Sequence, residues 1–538
     1  MIKLSKKSKL STWIKCSFSV CIFAIPMVAI AEDQSSVASE TENLAAVEDA
    51  PLPVEKASTA LTTPEREVRV IYLPESERKR IRDEIKQEVL ATAKKENWAQ
   101  PSALPDWINR IKLYGDIRVR GEGNYYDESN SKQFINFNAI NNGAPYDTRV
   151  NSGQLPAILN TTEDRHRLRL RARLGLTADV SETLKADFRL TTGGFTNPVS
   201  SNDTLGNNFN RYNIGFDRAY LTYQPIENLS LYAGRMENPW YSSDLLWDDD
   251  LGFDGFAGKY QFELTDTFRP FITAGALSVQ NTSVDLPTYS LDKQSSDDKW
   301  LFAGQIGADW KIQEDLNAKL GLGYFHYYNV VGNLSDPCPA YTTQISCNTD
   351  NTRPGFMQQG NTLFALRQLD ISNDPTGPQY QYFGLATPYE ILNLNTQLDF
   401  TLAEDRHVLF NLDYVKNLGF DEGRIKKLGP VTNSSKGYFD GGDEGYQVKA
   451  MFGHPKPTEI GQWNIGAGYR YLESDAVLDA FTDSDFHLGG TNAKGFFVSG
   501  NYGFSKNAWL GMRYLSADTI TGEPYKVDVL QLDLNARF

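Results

Sequence analysis

Several things are scarce in this 538-residue chain, and each shortage removes a class of protein. After residue 31, no apolar run approaches the roughly 18–20 residues that a membrane-spanning helix needs, so a helical membrane protein is excluded. Histidine is rare: His166, His326, His407, His454 and His487 are scattered and form no Ser/His/acid arrangement of a hydrolase. Cysteine is rarer still. Cys16 and Cys21 lie near the N-terminus, which leaves Cys338 and Cys347 as the only later pair. Two cysteines without a neighbouring histidine make a poor zinc site, and neither a metal nor a cofactor is expected. An excess of positive charge is also missing. Lys and Arg number 53 against 68 Asp and Glu, a net charge of −15, which argues against a nucleic-acid partner.

The N-terminus reads as a secretory signal peptide over residues 1–31. Lys3, Lys6, Lys7, Lys9 and Lys15 precede an apolar core, and Ala29-Ile30-Ala31 supplies a cleavage site after Ala31. Export makes a disulfide the expected state of Cys338 and Cys347, which sit in a Pro/Asn/Thr-rich loop. Residues 32–75, rich in Glu, Ser, Ala, Thr and Pro, cannot bury a core and read as a flexible periplasmic linker. Residues 76–98 read as a short α-helix with Ile81, Ile85, Val89 and Ala93 in one narrow stripe. The stripe fits either a coiled coil or a lone solvated helix.

From residue 108 the pattern changes. Arg165, Arg167, Arg169, Arg171 and Arg173 alternate with His166, Leu168, Leu170, Ala172 and Leu174. A period of two belongs to a strand, with guanidiniums on one face and apolar groups on the other. Such a strand fits either a soluble sandwich or a membrane barrel. The rest of the chain favours the barrel. Alternating segments recur at 111–122, 165–178, 184–192, 218–224, 229–235, 255–262, 268–277, 299–311, 316–328, 389–400, 407–416, 445–453, 462–472, 493–503, 508–516 and 527–538. Short links alternate with long polar loops, the rhythm of hairpins that are tight on one side of a membrane and long on the other. The expected fold class is therefore all-β: a transmembrane antiparallel β-barrel of about 16 strands over residues 108–538. The negative mean hydropathy does not oppose this, because a barrel strand averages a polar and an apolar face. Trp300, Trp310, Tyr324, Tyr414, Trp463, Tyr469, Tyr471 and Tyr514 fall near strand ends or on outward faces, as interfacial girdles would. The last strand sets Leu530, Leu532, Leu534, Ala536 and Phe538 on one face, and a terminal Phe538 looks like the sorting signal that the barrel-assembly machinery reads.

Leu104-Pro105-Asp106-Trp107, Tyr114-Gly115-Asp116-Ile117-Arg118-Val119-Arg120, Gly234-Arg235-Met236-Glu237-Asn238-Pro239, Asp244-Leu245-Leu246-Trp247-Asp248 and the run from Asp475 to Phe486 together resemble a porin family of Gram-negative outer membranes. The resemblance covers the chain from about residue 68 onward. It implies an outer-membrane barrel for diffusive passage, set among lipid and lipopolysaccharide. By analogy with porins of this size it also implies a homo-oligomer, a trimer. It implies no particular solute.

The lining carries the chemistry of a pore. Placing Leu168–Leu176 toward lipid puts Arg165, Arg167, Arg169, Arg171 and Arg173 in the lumen. The opposite choice would cost roughly 2–4 kcal/mol for each arginine near the midplane. Arg118, Arg120 and Arg189 are expected inward by the same alternation, making a positive wall that calls for anions, whether solutes or protein carboxylates. The segment 240–254, with Asp244, Asp248, Asp249, Asp250 and Asp254, has three readings: a constriction loop folded into the lumen, an extracellular loop, or a calcium loop. The second acidic loop, 473–486, is expected to be a solvated surface loop, with capping of the mouth or contact with a neighbour as the alternative. The leading expectation is a porin for small hydrophilic solutes and ions, with a lean toward anions through an arginine-lined lumen, and not an enzyme. The alternative is a specific channel for phosphate or another small anion. A TonB-type receptor would need a plug domain that residues 32–110 are too few to supply.

Overall fold

The computed structural model describes residues 110–538 except 150–152, 154, 284, 286–290, 292 and 294–295, together with single helical residues between 77 and 87. The expected signal peptide and linker lie outside the described residues. The chain forms two units, residues 1–92 and 93–538. In the first, the described residues between 77 and 87 are helical, and Arg80 pairs with Glu77 at 3.5 Å and Glu84 at 3.7 Å, one turn to either side.

The second unit is a closed antiparallel barrel of sixteen strands. They are β1 Ile111–Tyr126, β2 Arg165–Asp179, β3 Leu184–Thr192, β4 Ile214–Ile226, β5 Leu229–Met236, β6 Phe253–Gln261, β7 Phe268–Gln280, β8 Lys299–Lys311, β9 Leu316–Tyr328, β10 Glu390–Thr401, β11 His407–Asn417, β12 Glu444–Gly453, β13 Trp463–Leu472, β14 Ala493–Ser505, β15 Ala508–Thr519 and β16 Lys526–Arg537. Each strand pairs with the next, and β16 returns to β1 in the register Asp116↔Arg537 to Tyr126↔Val527. Closure leaves no sheet edge, which is what a strand structure needs in lipid. Phe538 extends the seam by exchanging both backbone hydrogen bonds with Gly115 at 3.0 Å. A Cβ on Gly115 would lie 2.6 Å from the Phe538 ring, so the terminal aromatic can close there only against glycine.

The alternation sorts the two faces. Leu168, Leu174, Ile306, Leu320, Ile465 and Leu532 are exposed on the outward face, where Trp310, Tyr324, Tyr446 and Tyr469 are exposed as well. A water-facing wall would not carry so continuous an apolar surface; lipid explains it. The largest boundary differences from the sequence reading are in β1, which continues to Tyr126, and β4, which begins at Ile214, not Arg218, because a bulge at Asp217 lets the pairing resume from Leu190↔Phe216 to Thr192↔Ile214.

Candidate functional site: the charged lumen

β1 and β2 form the charged wall. Their register sets Asp116 opposite Arg173, Arg118 opposite Arg171, Arg120 opposite Arg169 and Glu122 opposite Arg167. Alternate residues of β1 thus read acid, arginine, arginine, acid toward the lumen. Glu122 accepts from Arg167 Nε at 2.8 Å and Arg169 Nη1 at 3.1 Å, and its side chain is only 2 % exposed. Asp116 accepts from Arg173 Nε at 2.7 Å and Arg171 Nε at 3.1 Å. Arg120 is buried between Asp533 of β16, at 2.7 Å, and Asp485, at 3.0 Å. Arg189 pairs with Asp217 at 2.5 Å. Arg118 donates to Asn202 at 2.7 Å, and Arg165 is exposed at the strand end. Arg120, Arg167, Arg169, Arg171, Arg173 and Arg189 therefore each meet a protein carboxylate on a neighbouring strand.

The segment between β5 and β6 crosses the inside of the barrel. Tyr241 is fixed at both its backbone N–H and its carbonyl by the Gln305 amide of β8, at 2.8 Å each. Ser243 donates to Asp413 of β11 at 2.6 Å, and Asp244 accepts from Gln447 of β12 at 2.7 Å and pairs with Arg470 of β13 at 3.2 Å. At its other end Asp250 accepts from Ser201 N at 3.0 Å and Ser201 Oγ at 2.8 Å, and lies 3.3 Å from Arg171 and 3.4 Å from Arg173. Trp240 and Trp247 anchor the span edge-on against Phe325 at centroid distances of 5.4 and 5.6 Å. Of the five aspartates singled out in sequence, only Asp250 reaches the ladder. Asp249 is exposed, and Asp248 accepts from the Ser484 backbone. Asp254 is corrected: it belongs to β6, where it pairs with Arg235 at 2.8 Å, because the strand begins at Phe253.

The loop 473–486 is not the solvated surface expected of it. Asp475, Ala476 and Val477 are wholly buried, and the loop locks onto the first one through Asp248 N to Phe481 O at 2.9 Å. Its acids complete the charge pairing. Asp483 and Asp485 face Arg470 and Arg513, at 3.3 and 3.0 Å. Burial opposes ionisation of Asp485, but Arg120 and Arg513 outweigh it and hold the carboxyl well below its usual range. Asp244 is held down at about 2 against the same burial, chiefly by Arg470. Asp479, buried without a cation, is pushed up to about 7. Hydrophobic residues between the acids made the loop look like a surface turn with isolated apolar groups. The usable signal was the same-face placement of Arg470 and Arg513 on β13 and β15, which needs carboxylates.

The cysteines Cys338 and Cys347 form a disulfide with a Cα–Cα distance of 5.8 Å in the long segment between β9 and β10. That segment reaches the second acidic loop: Asn361 donates to the Ser474 and Val477 carbonyls, at 2.6 and 2.8 Å, and Thr362 N to Asp475 at 2.9 Å. Between the loops and strands β3 to β9 lies a cavity of about 950 Å³, lined in part by Asp250, Trp247, Phe253, Lys299, Tyr327 and Phe481.

A closed lipid-facing barrel with a polar, charge-paired lumen crossed by a folded-in segment defines a porin-type channel of the outer membrane. The chain belongs to the family described as "Putative porin", whose family model matches residues 24–538. No curated protein matches it in sequence. Among solved structures it is similar to the outer membrane channel DcaP of Acinetobacter baumannii, with 13% identity over 80% of this chain and 97% of that one at a TM-score of 0.38. It is also similar to Pseudomonas putida OprB, with 10% identity, 81% and 96% coverage and a TM-score of 0.42. Salmonella typhi OmpF, solved with daunomycin, is 10% identical with 80% and 97% coverage and a TM-score of 0.37.

Proposed function

We propose that this porin passes small hydrophilic solutes and ions by diffusion, with a modest preference for anions, and that the 240–254 segment sets its constriction. The observation that carries this reading is the crossing of the barrel interior from Gln305 to Arg171 by that segment. Arg118, Arg120, Arg165, Arg167, Arg169, Arg171, Arg173 and Arg189 line the passage in this reading. Because Asp116, Glu122, Asp250, Asp485 and Asp533 pair with most of them, the wall acts as a transverse field that orients polar solutes more than as a bare anion track. That pairing disfavours a dedicated phosphate track along the ladder. Export by a leader cleaved after Ala31, insertion through the assembly machinery by way of Phe538, and a trimeric assembly among lipopolysaccharide belong to the same proposal. Conductance and reversal potential of the purified protein in a planar bilayer under a salt gradient test it. Stable ohmic steps with a weakly anion-directed reversal potential are expected. Strong cation preference overturns the selectivity, and absence of channels overturns the function.

A further inference from the structure

A second cluster of cations, in excess over its carboxylates, lies away from the arginine ladder, toward the short-turn side of the barrel. Lys259 of β6, Arg269 of β7 and Lys319 of β9 all occupy lumen-facing positions, since their neighbours Phe256, Ile272 and Leu320 are exposed on the outward face. One carboxylate serves all three. Asp309 of β8 stands opposite Arg269 in one register and opposite Lys319 in the other, and its ion pair, at 3.1 Å, is with Lys319. Lys259 and Arg269 make no ion pair among the described residues.

The two lysines are held by rings. Lys259 Nζ lies 5.1 Å from the Phe271 centroid, while Lys319 Nζ lies 5.6 Å from the same centroid and 4.8 Å from that of Tyr241. The rings have room because Gly307 and Gly321 are cross-strand partners: a Cβ on Gly307 would lie 2.3 Å from Phe271, and one on Gly321 would lie 3.0 Å from Tyr241. Tyr241 is the residue whose backbone Gln305 clamps, so the crossing segment itself completes the cluster. Aromatic faces stabilise an ammonium without cancelling its charge, so Asp309 is the one carboxylate that offsets the cluster, and its three cations keep an excess of two positive charges.

We propose that Lys259 and Lys319, with Arg269 beside them, form a capture site for a small solute carrying two negative charges, and that this cluster contributes more to the anion preference of the pore than the charge-paired arginine ladder does. The inference rests on the porin reading. Two ammoniums beside one ring, with one carboxylate among three cations, match a dianion better than chloride, because a dianion can engage both lysines at once. Lumen enclosure strengthens that attraction relative to open water.

The test uses the full-length protein in a planar bilayer with inorganic phosphate at pH 8 as the probe. Wild-type chloride current should fall saturably as phosphate is added. The Lys259→Gln/Lys319→Gln variant should raise the half-saturating concentration at least tenfold and move the reversal potential toward cations. Lys259→Arg/Lys319→Arg should restore both, which separates loss of charge from loss of fold. A Gln variant that keeps wild-type saturation and reversal potential overturns the site. So does a wild-type channel that conducts without saturating. A wild-type chain that forms no channel overturns the pore reading beneath it, and the two failures are thereby told apart.

Discussion

Glu122 gives the sharpest quantitative test of how the arginine ladder is held. Its carboxylate, 2 % exposed, takes hydrogen bonds from both Arg167 and Arg169. Replacing both arginines by Gln leaves a buried carboxylate without a cation. Breaking a buried pair by removing one side costs about 3–5 kcal/mol, because the remaining charge stays desolvated. Arg167 and Arg169 are themselves partly exposed to the lumen, at 20% and 12%, so the lower half of that range applies. Arg167→Gln/Arg169→Gln should therefore lower the guanidinium unfolding midpoint of the barrel in detergent, read by far-UV circular dichroism. Adding Glu122→Gln removes the orphaned charge and should restore most of the loss, since neutralising both sides of a buried pair is often close to neutral. In bilayers the double variant, with two positive charges gone, should shift the reversal potential toward cations. The triple variant, one net charge from wild type, should shift it about half as far. An unchanged midpoint in the double variant, or a triple variant no more stable than the double, refutes the pairing account.

Asp250→Asn should loosen the crossing segment from Arg171 and Arg173 while keeping an acceptor for Ser201, so open-channel noise rises and selectivity moves toward anions; identical current traces would refute the anchoring role. Asp479, lifted to about 7 by burial, binds its proton more tightly folded than unfolded. Its contact is then strongest below about pH 4 and weakens as pH rises toward 7. Protection factors near residues 358–362 and 479–482, taken relative to the intrinsic exchange rate at each pH, should be lower at pH 8 than at pH 5, and Asp479→Asn should abolish the difference. Cys338→Ser/Cys347→Ser should cost the long segment about 2–3 kcal/mol of local stability through its freed short loop, seen as faster proteolysis between β9 and β10 with the barrel still resistant.

The period-two alternation determined the class of fold, the number of strands and which face meets lipid. These follow from local geometry, because a strand forces neighbouring side chains apart and an arginine in hydrocarbon is too costly. That Arg167 and Arg189 sit on the strand faces opposite the lipid-facing Leu168 and Phe188 is therefore legible from their own strands. The pairing of β16 with β1 was also within reach, since a closed barrel leaves its last strand no other partner. What those arginines touch was not legible in the same way. Glu122 meets Arg167, and Asp116 meets Arg173, through cross-strand register, which depends on where the intervening loop lets β2 start. Asp485 reaches Arg120 across 365 residues of sequence. That contact exists because 473–486 folds inward and hydrogen-bonds to the crossing segment. Loop paths over such separations are set by packing, such as Trp247 on Phe325 and Phe481, and no periodicity records them. Thus the sequence by itself determined a barrel whose arginines alternate with its lipid-facing residues. Only the tertiary structure decided that carboxylates pair with most of them and that Lys259 and Lys319 are left beside aromatic rings, because charge compensation depends on which groups three dimensions bring within a few ångströms.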